Sequence, residues 1–81
     1  MVNGWRNRQT CNVALRLEND EGLYFSMVEY ATRSKMRGLR PTYRKFIAWA
    51  GLIGQETPDG YSYSSQALDY SALGALVRES V

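Results

Sequence analysis

The stretch "RLENDEGLY", residues 16–24, places Glu18, Asp20 and Glu21, three of the chain's eight acids, within four positions. Carboxylates this crowded suit a divalent cation, acid–base chemistry, a partner-contacting acidic patch, or the first turn of a helix. A calcium loop needs oxygen ligands at alternating positions, a central glycine and a distant glutamate, and this spacing lacks them. Catalysis would need a second cluster to complete the site, and none stands out. The chain has no histidine and one cysteine, Cys11. That composition removes the usual zinc, copper and haem ligand sets. It also removes Ser-His-Asp and Cys-His catalysis. Helix start is the favoured reading, because acids in a first turn oppose the positive end of the helix dipole. No catalytic residue, metal site or cofactor is therefore expected, and the chain does not read as an enzyme.

Cys11 is expected to pack rather than react. It falls in the first turn of a helix, but no histidine is present to serve it as a base.

The second group with chemical potential is basic. Arg33, Lys35, Arg37, Arg40, Arg44 and Lys45 are six of the ten basic residues, and no acid occurs between positions 30 and 55. Tyr30 and Tyr43 flank them. Arginines beside aromatics hold phosphates and stack on bases, and a basic surface also steers acidic proteins. The plainer alternative is a solvated loop whose charges favour the C-terminal end of the preceding helix. The candidate partner-binding set is Arg33, Lys35, Arg37, Arg40, Tyr43, Arg44 and Lys45. Charge is uneven along the chain: residues 1–45 hold nine basic and four acidic side chains, residues 46–81 one and four. Asymmetry of this kind marks a binding face.

Helices must position these groups. Eighty-one residues, 44% apolar and 22% charged, make one domain, 1–81, of ordinary globular composition. Residues 1–9 read as an irregular arm, with Trp5 docking on the core or on a partner. Thr10 suits the N-cap of a first helix over 11–18, with Val13, Ala14 and Leu17 on one face. A strand at 12–17 has the same alternation, but a lone strand lacks a partner, so helix is favoured. Asn19 or Asp20 caps a second helix running to about Arg33, with Leu23, Tyr24, Met27, Val28, Tyr30 and Ala31 forming its apolar stripe. The connection "SKMRGLRP" comes next, where Gly38 suits a helix end and Pro41 bars continuation. Thr42 caps a third helix, "YRKFIAWAGLI", with Phe46, Ile47, Ala50 and Ile53 inward and Trp49 beside them. Residues 55–65 form a loop around the Pro58-Asp59-Gly60 turn. Its Tyr and Ser side chains either cover the core or offer an adaptable contact surface. Asp69 caps the last helix, with Leu73, Leu76 and Val77 inward and Leu68 as a staple. The fold class is all-α: three to four short helices with an irregular Tyr/Ser-rich loop before the last. The linker 34–41 is longer than a helix-turn-helix allows, and the third helix has few polar groups to read base edges.

No apolar run approaches the roughly 20 residues that span a membrane, and none resembles a signal peptide. A single thiol cannot form an internal disulfide, which fits a cytosol, bacterial or otherwise.

Residues 7–24, "NRQTCNVALRLENDEGLY", resemble a family of small proteins encoded by phages and their hosts. The family pattern runs Asn-Arg-x-Thr-Trp-Asn-Val-Ala-Leu-Trp, then Asn-Asp-Glu-x-Leu-Tyr, a Thr-Pro-Asp-Gly turn and a closing Leu-Asp-x-x-x-Leu segment. Here these are Asn7-Arg8, Thr10, Asn12 to Leu15, Asn19 to Glu21, Leu23-Tyr24, Thr57 to Gly60, and Leu68-Asp69 with Leu73. Cys11 and Arg16 stand where the pattern has tryptophan. The resemblance implies a phage setting, and with it the cytoplasm of a host bacterium, but no particular activity. Small phage proteins of this size often bind and disable host machines, and by that analogy the expected partner is a host protein or nucleoprotein complex. An anti-CRISPR-like, counter-defence inhibitor is the sharpest form of that expectation. A nucleic-acid-binding accessory protein using the basic 33–45 cluster is the alternative.

Overall fold

A computed structural model describes residues 2–81. Four helices succeed one another: α1 (Arg8–Asn19), α2 (Glu21–Met36), α3 (Tyr43–Trp49) and α4 (Tyr70–Glu79). Among the described residues the only β-pairing is two isolated bridges, Val2 with Trp5 and Glu56 with Ser62. The all-α reading holds, and the strand alternative at 12–17 is excluded.

Each helix start has a local cause. Asp20 ends α1 and caps α2, its carboxylate accepting from the Leu23 amide at 2.9 Å. It also pairs with Arg16 at 3.0 Å. Asp20 therefore has the helix-start role; among the described residues no three acids or thiols converge as a metal site. Thr42 caps α3 and Asp69 caps α4, each through a side-chain oxygen and the amide three residues on.

The start of α1 differs from expectation. Asn7 is the cap, so the irregular arm is shorter than residues 1–9 and the helix begins at Arg8. Thr10 is fully buried. Its hydroxyl donates to Asn7 Oδ1 (2.7 Å) and accepts from the Asp69 amide (3.0 Å), while Asn7 Nδ2 donates to the Ala67 carbonyl (2.7 Å). One hydroxyl thus joins the N-termini of α1 and α4. Thr10→Val should cost about 1–3 kcal/mol by stranding a buried N–H, with Thr10→Ser largely tolerated. A urea midpoint shift at unchanged slope measures it.

α1 packs chiefly on α2, and α3 on α4. Val13, Ala14 and Leu17 of α1, Met27, Tyr30 and Ala31 of α2, Tyr43, Phe46 and Ile47 of α3, and Leu73 and Val77 of α4 share one core. Leu52, Tyr63 and Leu68 close this core from the irregular segment, and Trp5 packs against it. Cys11 is buried. α2 runs three residues beyond the expected end. α3 stops four residues short of Ile53, because Gly51 adopts φ 72° and turns the chain. That turn buries Leu52 and exposes Ile53, which helical spacing alone places inward.

Tyr43 lies in this core, with its hydroxyl donating to the Tyr63 carbonyl. Burial, with Tyr70 and Tyr63 nearby, holds the phenol well above the ordinary tyrosine value. Burial raises Tyr63 too, with Arg16 opposing it. The fold favours the neutral phenols. Their contribution is intact below the unfolded value of about 10 and is lost as pH rises toward the higher folded values. Stability should fall above about pH 10, by up to about 1.4 kcal/mol per pH unit for each coupled proton. Tyr43→Phe should flatten that decline in a series of urea melts at rising pH.

Candidate functional site

The last turns of α2 carry Arg33, Met36 and Arg37 outward, and the helix then ends abruptly. Gly38 at φ 73° lets Leu39 turn back, its amide donating to the Ser34 carbonyl at 2.8 Å and that of Gly38 to Lys35 at 3.0 Å. This is a glycine-dependent helix stop. It leaves Leu39 beside Met36 rather than in the core.

The chain reaches α3 through Pro41 and Thr42. Tyr30 fastens this crossing, its hydroxyl accepting from the Thr42 amide at 3.3 Å. The Tyr30 ring packs on Phe46 and on Trp49, with centroids 5.7 and 5.9 Å apart. Between the end of α2 and the face of α3 lies a cleft of about 370 Å³. Its apolar surface is Met36, Leu39, Trp49 and the buried Tyr30; its cations are Arg33, Arg37, Arg40 and Lys45. Met36 is 81% exposed, Leu39 49% and Trp49 45%. Three large apolar side chains left in water together make this cleft the candidate interaction site.

A second hollow, of about 490 Å³, shares Arg40 and Lys45 with the first. It adds Arg44, Arg78 and the Tyr70 ring. Arg44 lies over that ring, 4.8 Å from its centroid, a cation–π contact that aims its charge. Arg78 donates to the Pro41 carbonyl at 2.9 Å. Gly74 makes room for this close crossing: a methyl group there would lie 3.2 Å from the Arg78 guanidinium.

Among the described residues no carboxylate pairs with Arg37, Arg40, Arg44 or Lys45. Six of the seven expected contact residues line one or both hollows, Arg33, Arg37, Arg40, Arg44 and Lys45 as exposed cations and Tyr43 as buried wall. Arg33 is partly engaged, pairing with Glu29 at 3.1 Å. Two do not contribute a free charge or ring. Lys35 donates to the carbonyls of Arg78 (2.9 Å) and Val81 (3.3 Å), so it ties α2 to the end of α4. Tyr43, expected on the surface, is 1% exposed and touches the second hollow only as wall. The sequence reading missed Met36, Leu39 and Arg78 as contact residues, and it set Trp49 beside the core stripe rather than in a cleft. The signal for the first two was present in "SKMRGLRP", where apolar residues interleave with arginines beside a helix stop. Arg78 comes from the far end of the chain and had no local signal.

The family's model matches residues 1–81, the whole chain. The chain belongs to a family of unknown function, DUF7249. No curated protein and no solved structure matches it. Membership in DUF7249 carries no activity, so the cleft itself carries the functional reading. No helix is long and apolar enough to cross a membrane, among the described residues.

Proposed function

We propose that this chain is a non-catalytic binding protein that acts by occupying an acidic surface of a host protein or nucleoprotein machine. The single observation behind it is the cleft, in which exposed apolar side chains lie beside Arg37, Arg40 and Lys45, cations that no carboxylate neutralises among the described residues. A histidine-free chain with one buried cysteine supports the non-catalytic part. The resemblance of residues 7–24 to phage-encoded proteins supports a phage setting and a host bacterium's cytoplasm as the site of action. Inhibition of a host defence complex, in the manner of an anti-CRISPR, is the sharpest form of the proposal. A nucleic-acid accessory role is the second reading, favoured by exposed Trp49 among the same cations.

Tagged protein and an Arg37→Glu, Arg40→Glu, Lys45→Glu variant, each passed over bacterial host lysate with and without nuclease, test these readings. The expected result is a protein partner retained after nuclease and lost with the variant. Recovery of nucleic acid alone, abolished by nuclease, would replace the first reading with the second. Equal capture by both forms would remove the cleft from either role.

A further inference from the structure

We infer that the cleft's occupant is an acidic protein segment carrying a bulky apolar side chain, which inserts between Met36, Leu39 and Trp49 while its carboxylates meet Arg37, Arg40 and Lys45. This rests on the partner-binding reading above and names the chemistry of the partner. Charge alone would fit any polyanion, so the apolar half of the cleft decides the class. Met36 and Leu39 offer no donors to a phosphate and no flat face to a base. A polynucleotide tracking the cations would leave both in water. A protein segment covers them, and the hydrophobic term then adds to the electrostatic one.

The arrangement of the walls agrees. Methionine adapts to varied apolar shapes, which suits a cleft that receives a side chain. Trp49 packs on Tyr30, which gives one wall a backing, while Met36 stands 81% exposed with room to conform. Tryptophan and arginine are the residue types that most often dominate binding energy at protein interfaces, and here they adjoin. The second hollow begins where the first ends, at Arg40 and Lys45. Carboxylates beyond the apolar anchor therefore continue onto Arg44 and Arg78, and the predicted segment is acidic on the side that leads away from Trp49 toward Tyr70.

The probe is a fluorescein-labelled peptide of Glu and Asp interspersed with Leu and Phe. Its controls are the same peptide with Leu and Phe changed to Ser, and a labelled single-stranded oligonucleotide. Anisotropy reads binding to the full chain. In a Trp5→Phe background, Trp49 emission reports occupancy of the cleft, and the anisotropy measurement stands if that variant fails to fold. The apolar-acidic peptide should bind and change Trp49 emission. The Ser peptide should bind roughly 10-fold more weakly or worse, as should the apolar peptide to Leu39→Gln and Met36→Gln variants with unchanged circular dichroism. Raising salt should weaken the peptide without abolishing it, since the apolar contact is not screened.

Three results would overturn the inference: equal affinity for both peptides, binding of the oligonucleotide in preference to both, or no peptide binding at all. If the peptides fail while the lysate partner is still captured in a charge-dependent way, the acidic-segment inference falls alone. If that capture fails as well, the partner-binding reading falls with it.

Discussion

Tyr43→Ala should destabilise the domain by about 3–5 kcal/mol, the cost of removing a large buried aromatic side chain. A chain of this length has roughly 4–12 kcal/mol to lose, at about 0.05–0.15 kcal/mol per residue. The variant should therefore melt well below the parent and populate unfolded chain at physiological temperature. Three losses combine. The ring leaves a cavity at the junction of α3 and α4, where it meets Tyr70 edge-on with centroids 5.2 Å apart. The hydroxyl no longer satisfies the Tyr63 carbonyl. The irregular segment, which reaches the core through Tyr63, loses its tie to α3. Tyr43→Phe isolates the second loss and should cost about 1–3 kcal/mol. Thermal melts monitored by circular dichroism check both. A Tyr43→Ala variant that melts like the parent would mean that the residue belongs to the surface rather than to the core.

The charge-reversed variant Arg37→Glu, Arg40→Glu, Lys45→Glu should behave in the opposite way, folding normally and losing its partner. All three side chains are exposed and, among the described residues, none donates a hydrogen bond within the chain. Lys45 is three residues after the cap Thr42, so a glutamate there completes a Thr-x-x-Glu capping box on α3. Arg37 closes α2, where a negative charge opposes the dipole at a cost of about 0.3–1 kcal/mol. The two effects offset one another, and the melting temperature should move little. Binding should suffer far more. Like charges facing across an interface cost several kcal/mol, so affinity for an acidic partner should fall at least about 100-fold. Wild-type affinity should decline as salt rises, because rim charges are screened over about 8 Å at physiological ionic strength. Titration calorimetry at two salt concentrations measures both. A folded variant that binds as tightly as the parent would remove these cations from the interface.

Local rules carried most of the fold. Asp20, Thr42 and Asp69 are caps by residue type and by the helix-forming residues directly after them, and the buried faces of α1, α2 and α4 obey helical spacing. The features that escaped the sequence were non-local. Thr10 is an acceptable cap by type, though weaker than Asn7, and its hydroxyl is claimed by Asp69, 59 residues away. Ile53 fits the stripe of a longer α3, but a left-handed glycine rotates Leu52 inward in its place. Tyr43 has the amphipathic character of a surface contact residue, and only the position of Tyr63 settles which end is satisfied and where. The basic cluster was visible as charge. Its division was not, because Lys35 and Arg40 are five residues apart on a chain that reverses at Gly38. Lys35 is spent on α4, while Arg40 faces the cleft.

The one-residue junction at Asp20 has a kinetic consequence. α1 and α2 meet across a single residue, so their pairing closes almost no loop. The pairing of α3 with α4 must first bring together the ends of residues 50–69. The entropic cost of closure grows with loop length. The α1–α2 elbow should therefore form early, and α3 with α4 should dock onto it later. The cleft straddles that divide, with Met36 and Leu39 at the end of α2 and Trp49 on α3. Its two walls should therefore come together only as α3 docks, and binding competence should appear no sooner than the complete native state.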